Sequence, residues 1–174
     1  MTVLHTMEDL LVSQVSELYG AVRQITQALP AMVEAAANER LSETLRFHLR
    51  QTEGQLARLE EIFRFLGAQP ESRRSLGLAG LFREAGERLK RGGNRALVDA
   101  GLITDARRVK HYEIAAYAST IALAEVLGLG SIVRLLTHSL QEETAADEKL
   151  SRIARNEVNP DGVLLVSSPQ QSES

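Results

Sequence analysis

Four long segments of this chain carry apolar residues at alternating steps of four and three, the spacing of a helix face buried along its length. Leu11, Val15, Leu18, Val22, Ile25, Leu29 and Met32 form the first run without a break. The second, Leu41, Leu45, His48, Thr52, Gln55, Leu59, Ile62 and Leu66, turns polar in its middle. The third reads Ile103, Ala106, Lys110, Glu113, Tyr117 and Ala124. In the fourth, Leu129, Val133, Leu136 and Leu140 lead to Glu143 and Asp147 before Leu150 and Ala154. Buried charges are costly unless they are paired or bound to a metal. A polar layer at the middle of a helix bundle therefore needs a chemical explanation.

The 174 residues suit a single domain with a real core. Trp is absent and aromatics make up only 4% of the chain, so that core is expected to be aliphatic. A net charge of -3 argues against general nucleic-acid binding. The crossover from Glu71 to Arg95 is locally basic, but it has no aromatic platform beyond Phe82 and reads as a solvated helix face. There are no cysteines, which excludes disulfides, thiolate zinc sites and thiol catalysis and leaves His and carboxylates as metal ligands. No segment approaches eighteen consecutive apolar residues, and the N-terminus lacks the layout of a signal peptide. A cytoplasmic protein with no membrane role is expected.

Thr6 is placed to cap the first helix ahead of Glu8 and Asp9, and that helix is expected to reach about Ala36 with a bend or break at Pro30. Asn38 caps the second, which stops at Gly67. A shorter amphipathic helix is expected over about 78–90, with Leu78, Leu81, Phe82, Ala85 and Leu89 on one face. Gly92-Gly93 ends it, Asn94 caps the third long helix, and Gly128 and Gly130 bracket the turn into the fourth, which extends to about Arg155. These glycines match no phosphate-binding fingerprint. The helical domain is thus expected over 1–155. Residues 156–174, rich in Pro, Gly, Ser and Gln, read as a disordered tail interrupted by Val163-Leu164-Leu165-Val166.

Short loops join the first two long helices and the last two, so each pair is an antiparallel hairpin. The connection between the hairpins is nearly thirty residues long and holds its own helix. An up-down bundle has no need of that length, whereas a ferritin-like bundle with one long crossover does. The expected fold is all-α, a ferritin-like four-helix bundle with a fifth, shorter helix in the crossover.

Several stretches carry a family resemblance. Glu17-Leu18-Tyr19-Gly20-Ala21 with Gln24 and Ala28-Leu29-Pro30 resembles the opening helix of the YciE/YciF family of ferritin-like bacterial stress proteins. So do His48-Leu49 with Gln51-Thr52, Arg58-Leu59-Glu60 and Ile62-Phe63. The most specific stretch, residues 109–117 (Val-Lys-His-Tyr-Glu-Ile-Ala-Ala-Tyr), is similar to the family's third helix, and Glu142-Glu143 with Asp147-Glu148-Lys149-Leu150 to its fourth. The resemblance implies a ferritin-like bundle, dimerisation and a carboxylate–histidine metal site, without a defined reaction. The departures bear on that site. The family usually has acids where this chain has Val22, Arg50 and Lys110. A dinuclear centre in such a bundle uses about four carboxylates and two His. Here Glu113, Glu143, Asp147 and His48 remain at seam positions.

Those four residues are the candidate ligands of a vestigial metal site. The competing reading is a buried salt-bridge cluster of Lys110, Glu113, Glu143 and Asp147, in which the ammonium neutralises the acids. His48 reads first as a hydrogen-bonded core histidine. His111 falls beside the seam, and His5 and His138 have no motif context. Tyr112 and Tyr117 are assigned to packing, and Arg50 with Glu53 to an ion pair near the surface. Two functions follow. One is a non-catalytic, ferritin-like stress-associated protein, with no catalytic residues, no cofactor and no metal at full occupancy. The other is an oxidoreductase or peroxide-handling protein that holds iron or manganese, the ions an oxygen-rich ligand set suits. Lys110 and Val22 favour the first. Leu49, Leu56 and Phe63 beside the seam of the second helix, with Phe47 and Phe65 further round, predict a homodimer, as do Leu102, Ile114 and Ile121 on the third.

Overall fold

The structure, a computed structural model, describes residues 4–164. Helix α1 (Met7–Ala35) opens on a reciprocal cap: Asp9 N–H donates to Thr6 Oγ1 at 3.0 Å, and Thr6 N–H donates to Asp9 Oδ2 at 3.0 Å. It runs through Pro30 without a break. Pro30 lies on the exposed side of the helix, so the backbone bond that its missing N–H removes is on the face turned to solvent. Helix α2 (Glu39–Phe65) is capped by Asn38, which accepts from Leu41 N–H at 2.9 Å, and Gly67 closes it with φ 63°. Helix α3 (Leu76–Lys90) starts two residues earlier than the apolar spacing suggests, because Ser75 accepts from Leu78 N–H at 3.2 Å. Helices α4 (Arg95–Val126) and α5 (Gly130–Ile153) form the second hairpin.

Helix α1 packs on α2 and α4, and α5 packs on the same two helices. The order round the bundle is therefore α1, α2, α5, α4, which puts α2 and α4 on a diagonal. A chain leaving α2 must cross the bundle and return to its far end, and this is what the long connection does. It is seated on α1 at Gly20, where a Cβ would fall 1.7 Å from the Arg73 carbonyl oxygen. Ser75 N–H donates to Gln24 Oε1 at 2.7 Å, and Tyr112 and Ser75 join their hydroxyls at 2.8 Å. Tyr112 thus serves packing of the crossover rather than the interior. At the far end the buried Asp99 of α4 accepts from Ala37 and Asn38 N–H, both at 2.8 Å, and so ties the start of α4 to the α1–α2 turn.

The helical domain does not stop at Arg155. A π-helical turn, Ala154–Val158, leads into α6 (Asn159–Leu164), and Val158 is buried in the core. The composition of this stretch misleads because the helix accommodates Pro160 directly after a π-helical turn. Arg40 and Glu157 pair at 2.7 Å across the same end. The expected disorder is thus corrected for residues 156–164. Residues 165–174, including Leu165 and Val166 of the apolar run in the tail, lie outside the described residues.

The core falls into two apolar clusters. One is built around Ile25, Leu29, Leu41, Leu45, Ile103 and Leu150, the other around Leu11, Val15, Leu18, Ile62, Phe63 and Leu136. Between them lies the polar layer.

Candidate functional site

Each long helix brings its seam to this layer. Helix α2 supplies His48, Thr52 and Gln55, α4 supplies Lys110, Glu113 and Tyr117, and α5 supplies Glu143; all seven are buried. Helix α1 contributes Val22, fully buried in an apolar cluster. The Lys110 ammonium lies 2.5 Å from Glu113 Oε2 and also touches Glu143 Oε2 and His48 Nε2. An ammonium has three protons and here meets three acceptors, one from each helix turn that faces it. Gln55 Nε2 donates to Glu143 Oε1 at 2.7 Å, and Tyr117 donates its hydroxyl to Gln55 Oε1 at 3.3 Å. Thr52 donates to the His48 carbonyl at 2.9 Å.

The charge states follow from burial and proximity. Burial pushes His48 from 6.5 down to about 3, and the Lys110 charge acts the same way, so the ring is neutral. Burial works against the Lys110 charge, but Glu113 and Glu143 outweigh it and hold the ammonium above its ordinary 10.5. Burial and the neighbouring Glu143 push Glu113 well above 4.5, against the opposing pull of Lys110. Burial also opposes the charge of Glu143, yet Lys110 prevails and brings that group to about 2.

Asp147 is not part of it. Leu136, Glu143 and Leu150 lie seven apart and face inward, but between them the buried positions are Ser139 and Ala146 rather than Leu140 and Asp147. With 3.6 residues per turn, the step of three after each heptad position turns inward here and the step of four turns outward. Asp147 instead accepts two bonds from Arg107, at 2.8 and 3.1 Å, with His111 3.7 Å away. His111 and His138 are solvent-facing, and His5 is exposed at the N-terminus. Arg50 lies over the Phe47 ring, 5.6 Å from its centre, instead of pairing with Glu53. The sequence reading missed the outer support of the layer. Arg58 binds Glu142 and donates to Ser139 Oγ at 3.0 Å, and Gln55 Nε2 also reaches Glu142 at 3.2 Å. The Glu142-Glu143 pair was the available signal, with one acid facing in and the next facing the rim.

The family model described as a domain of unknown function, DUF892, matches residues 6–161. The chain belongs to the DUF892 family. It is 36% identical over 157 residues to the Escherichia coli protein YciF, covering 90% of this chain and 95% of that one. The crystal structure of that E. coli stress protein superposes with a TM-score of 0.85, covering 90% of this chain and 99% of the other. YcfI from Rhodopseudomonas palustris is 44% identical with a TM-score of 0.83, over 84% of this chain and 94% of that one. Ferritin-like, diiron-carboxylate proteins from Bacillus anthracis share the fold, with a TM-score of 0.68 at 15% identity over 87% of this chain and 99% of theirs. The all-α, ferritin-like fold is thereby established.

That fold raises the question of a metal, and the DUF892 bundle described here answers it through its donors. His48, Glu113 and Glu143 each offer one ligand atom, all within 4.8 Å of one another. Two carboxylates and one His fall short of the dinuclear set. The Lys110 ammonium also lies among the three donors, touching an atom of each. The three donors converge closely enough to hold a single ion, but the place between them is taken by the Lys110 ammonium.

Proposed function

We propose that this protein is a non-catalytic, ferritin-like, stress-associated protein whose ancestral metal centre has been replaced by the Lys110–Glu113–Glu143 cluster. The observation that carries the reading is the ammonium in contact with one ligand-type atom from each of His48, Glu113 and Glu143. Its charge opposes a second cation at the same place. The stress association rests on the similarity to E. coli YciF. Among the described residues no helix is long and apolar enough to cross a membrane, and a cytoplasmic location suits the absence of cysteine.

Protein purified without chelator is expected to hold far less than one transition metal per chain. Mass spectrometry of metals after dialysis checks this, and stoichiometric iron or manganese would overturn it. The convergence of three donors within 4.8 Å favours a second reading, an iron- or manganese-binding oxidoreductase, in which Lys110 yields its position to the ion. The variant Lys110→Ala vacates that position and separates the two. Metal uptake by the variant alone supports replacement, whereas equal uptake by the native chain supports the second reading.

A homodimer is also proposed, on narrower grounds than the sequence offers. Phe63 and Leu102 of the apolar surplus are buried within the protomer, and Leu49, Leu56 and Ile121 pack against its core. Phe47 and Phe65 stay 47% and 56% exposed. Their separation of about five helical turns puts them on one stripe of α2. Light scattering at micromolar concentration is expected to return twice the 19.1 kDa chain mass; the chain mass itself would rule the dimer out.

A further inference from the structure

Where α2 begins and α5 ends, the bundle carries a pocket that the polar layer does not use. Arg40 of α2, Lys149, Arg152 and Ile153 of α5, and Asn156 and Glu157 of the π-helical turn line an open space of about 370 Å³, a size usual for small-molecule sites. The π turn builds this pocket. Leu150 and Ile153 face inward, and an unbroken α-helix would next bring Glu157, seven residues after Leu150, towards the core. The wider turn, closed by a bond from Asn159 N–H to the Ala154 carbonyl, gives the buried place to Val158 instead. Glu157 is left at the rim, where it accepts from Arg40 Nη1 at 2.7 Å and fixes that guanidinium at the pocket. Turns of this kind recur at functional sites.

The charges that meet there do not cancel. Glu157 is the one carboxylate lining the pocket, against the cations of Arg40, Lys149 and Arg152. Arg152 has no partner among the described residues. Lys149 has no acid beside it, and its ammonium rests over the Phe47 ring, 5.7 Å from the centre. Arg40 uses one N–H on Glu157 and has others to offer. The surplus of two positive charges matches a phosphate group, which carries about −1.5 to −2 near neutral pH and accepts through three oxygens. Guanidinium groups engage such oxygens in pairs, and an ammonium adds a point charge.

We propose that this pocket binds a phosphate group, carried by a small soluble monoester or as the free ion. Arg40 and Arg152 hold its oxygens from two helices, Lys149 turns from the Phe47 ring to complete the charge, and the Asn156 amide supplies a neutral donor. Glu157 acts as a positioning residue for Arg40. The proposal is independent of the metal question, since no residue of the polar layer lines the pocket.

NMR titration of the ¹⁵N-labelled full chain with inorganic phosphate and with glycerol 3-phosphate, at fixed pH and ionic strength, tests it. Saturable shifts are expected, confined to the start of α2, the end of α5 and the π turn. Arg152→Gln is expected to weaken binding about tenfold or more, the usual loss of a charge-assisted bond. Arg134→Gln, at the other end of α5, is expected to leave it unchanged. Both side chains are exposed, so both variants keep the fold. Glycerol 3-phosphate binding at least as tightly as inorganic phosphate identifies a monoester as the ligand, and tighter binding of inorganic phosphate identifies the free ion; either supports the site. Acetate binding as tightly as phosphate, shifts that stay linear and spread over all surface cations, or an affinity unchanged in Arg152→Gln would each overturn it. So would binding to phosphatidic acid vesicles with none to either soluble phosphate.

Discussion

Lys110→Met is expected to lower the unfolding free energy by about 3–5 kcal/mol, the usual cost of removing one partner from a buried ionic cluster. The methionine fills much the same volume, so the loss is electrostatic rather than a cavity effect. The uncompensated charge falls chiefly on Glu143, which Lys110 holds ionised and which is then fully buried with the Gln55 amide as its remaining donor. The double variant Lys110→Met with Glu143→Gln removes that charge and is expected to recover most of the loss. Denaturant midpoints of the native, single and double variants measure both effects. An unchanged midpoint in Lys110→Met would show that the cluster contributes nothing to stability.

Stability is expected to fall steeply below about pH 4.5, for reasons that follow from His48 and Glu143. His48 takes a proton at 6.5 when unfolded but only near 3 when folded, so its contribution is complete above 6.5 and is lost as the pH falls towards 3. Glu143 has the same sign, because it ionises near 2 when folded and near 4.5 when unfolded, so its contribution is lost as the pH falls from 4.5 towards 2. Together the two groups are expected to remove about 3 kcal/mol between pH 4.5 and 3. Glu113 has the opposite sign, since burial and Glu143 raise it and its contribution is lost as the pH rises above 4.5. Urea denaturation across pH 3 to 8 measures the profile. His48→Gln is expected to make the acid limb shallower. A native profile that is flat from pH 6 to 3 would show that neither His48 nor Glu143 is held away from its ordinary value.

The sequence by itself determined the five longer helices and the plan of the bundle. Thr6, Asn38 and Asn94 cap the helices they were expected to cap, because side-chain capping is a local contact set by the few residues around it. The length of the connection after α2 required a crossover, which the diagonal placement of α2 and α4 explains. The polar residues of the second and third runs, His48, Thr52, Gln55, Lys110 and Glu113, could be read as one layer, since a single periodicity holds along each of those helices.

Tertiary structure alone decided the membership of the site. Around Glu143 both Ala146 and Asp147 satisfy a helical repeat, and only the position of the neighbouring helices turns the first inward and the second towards Arg107. The fate of residues 156–164 was likewise a matter of contact, because the burial of Val158 depends on a surface assembled from distant segments. So was the role of Lys110. Its one-turn spacing from Glu113 is visible in the chain, but His48 is 62 residues away and Glu143 33 residues away, and they meet the ammonium only across helices. Periodicity fixes which face of a helix is buried to within about one residue step, roughly 100° of rotation. A hydrogen bond is decided by a few tenths of an ångström, and that precision comes only from helices packed against one another.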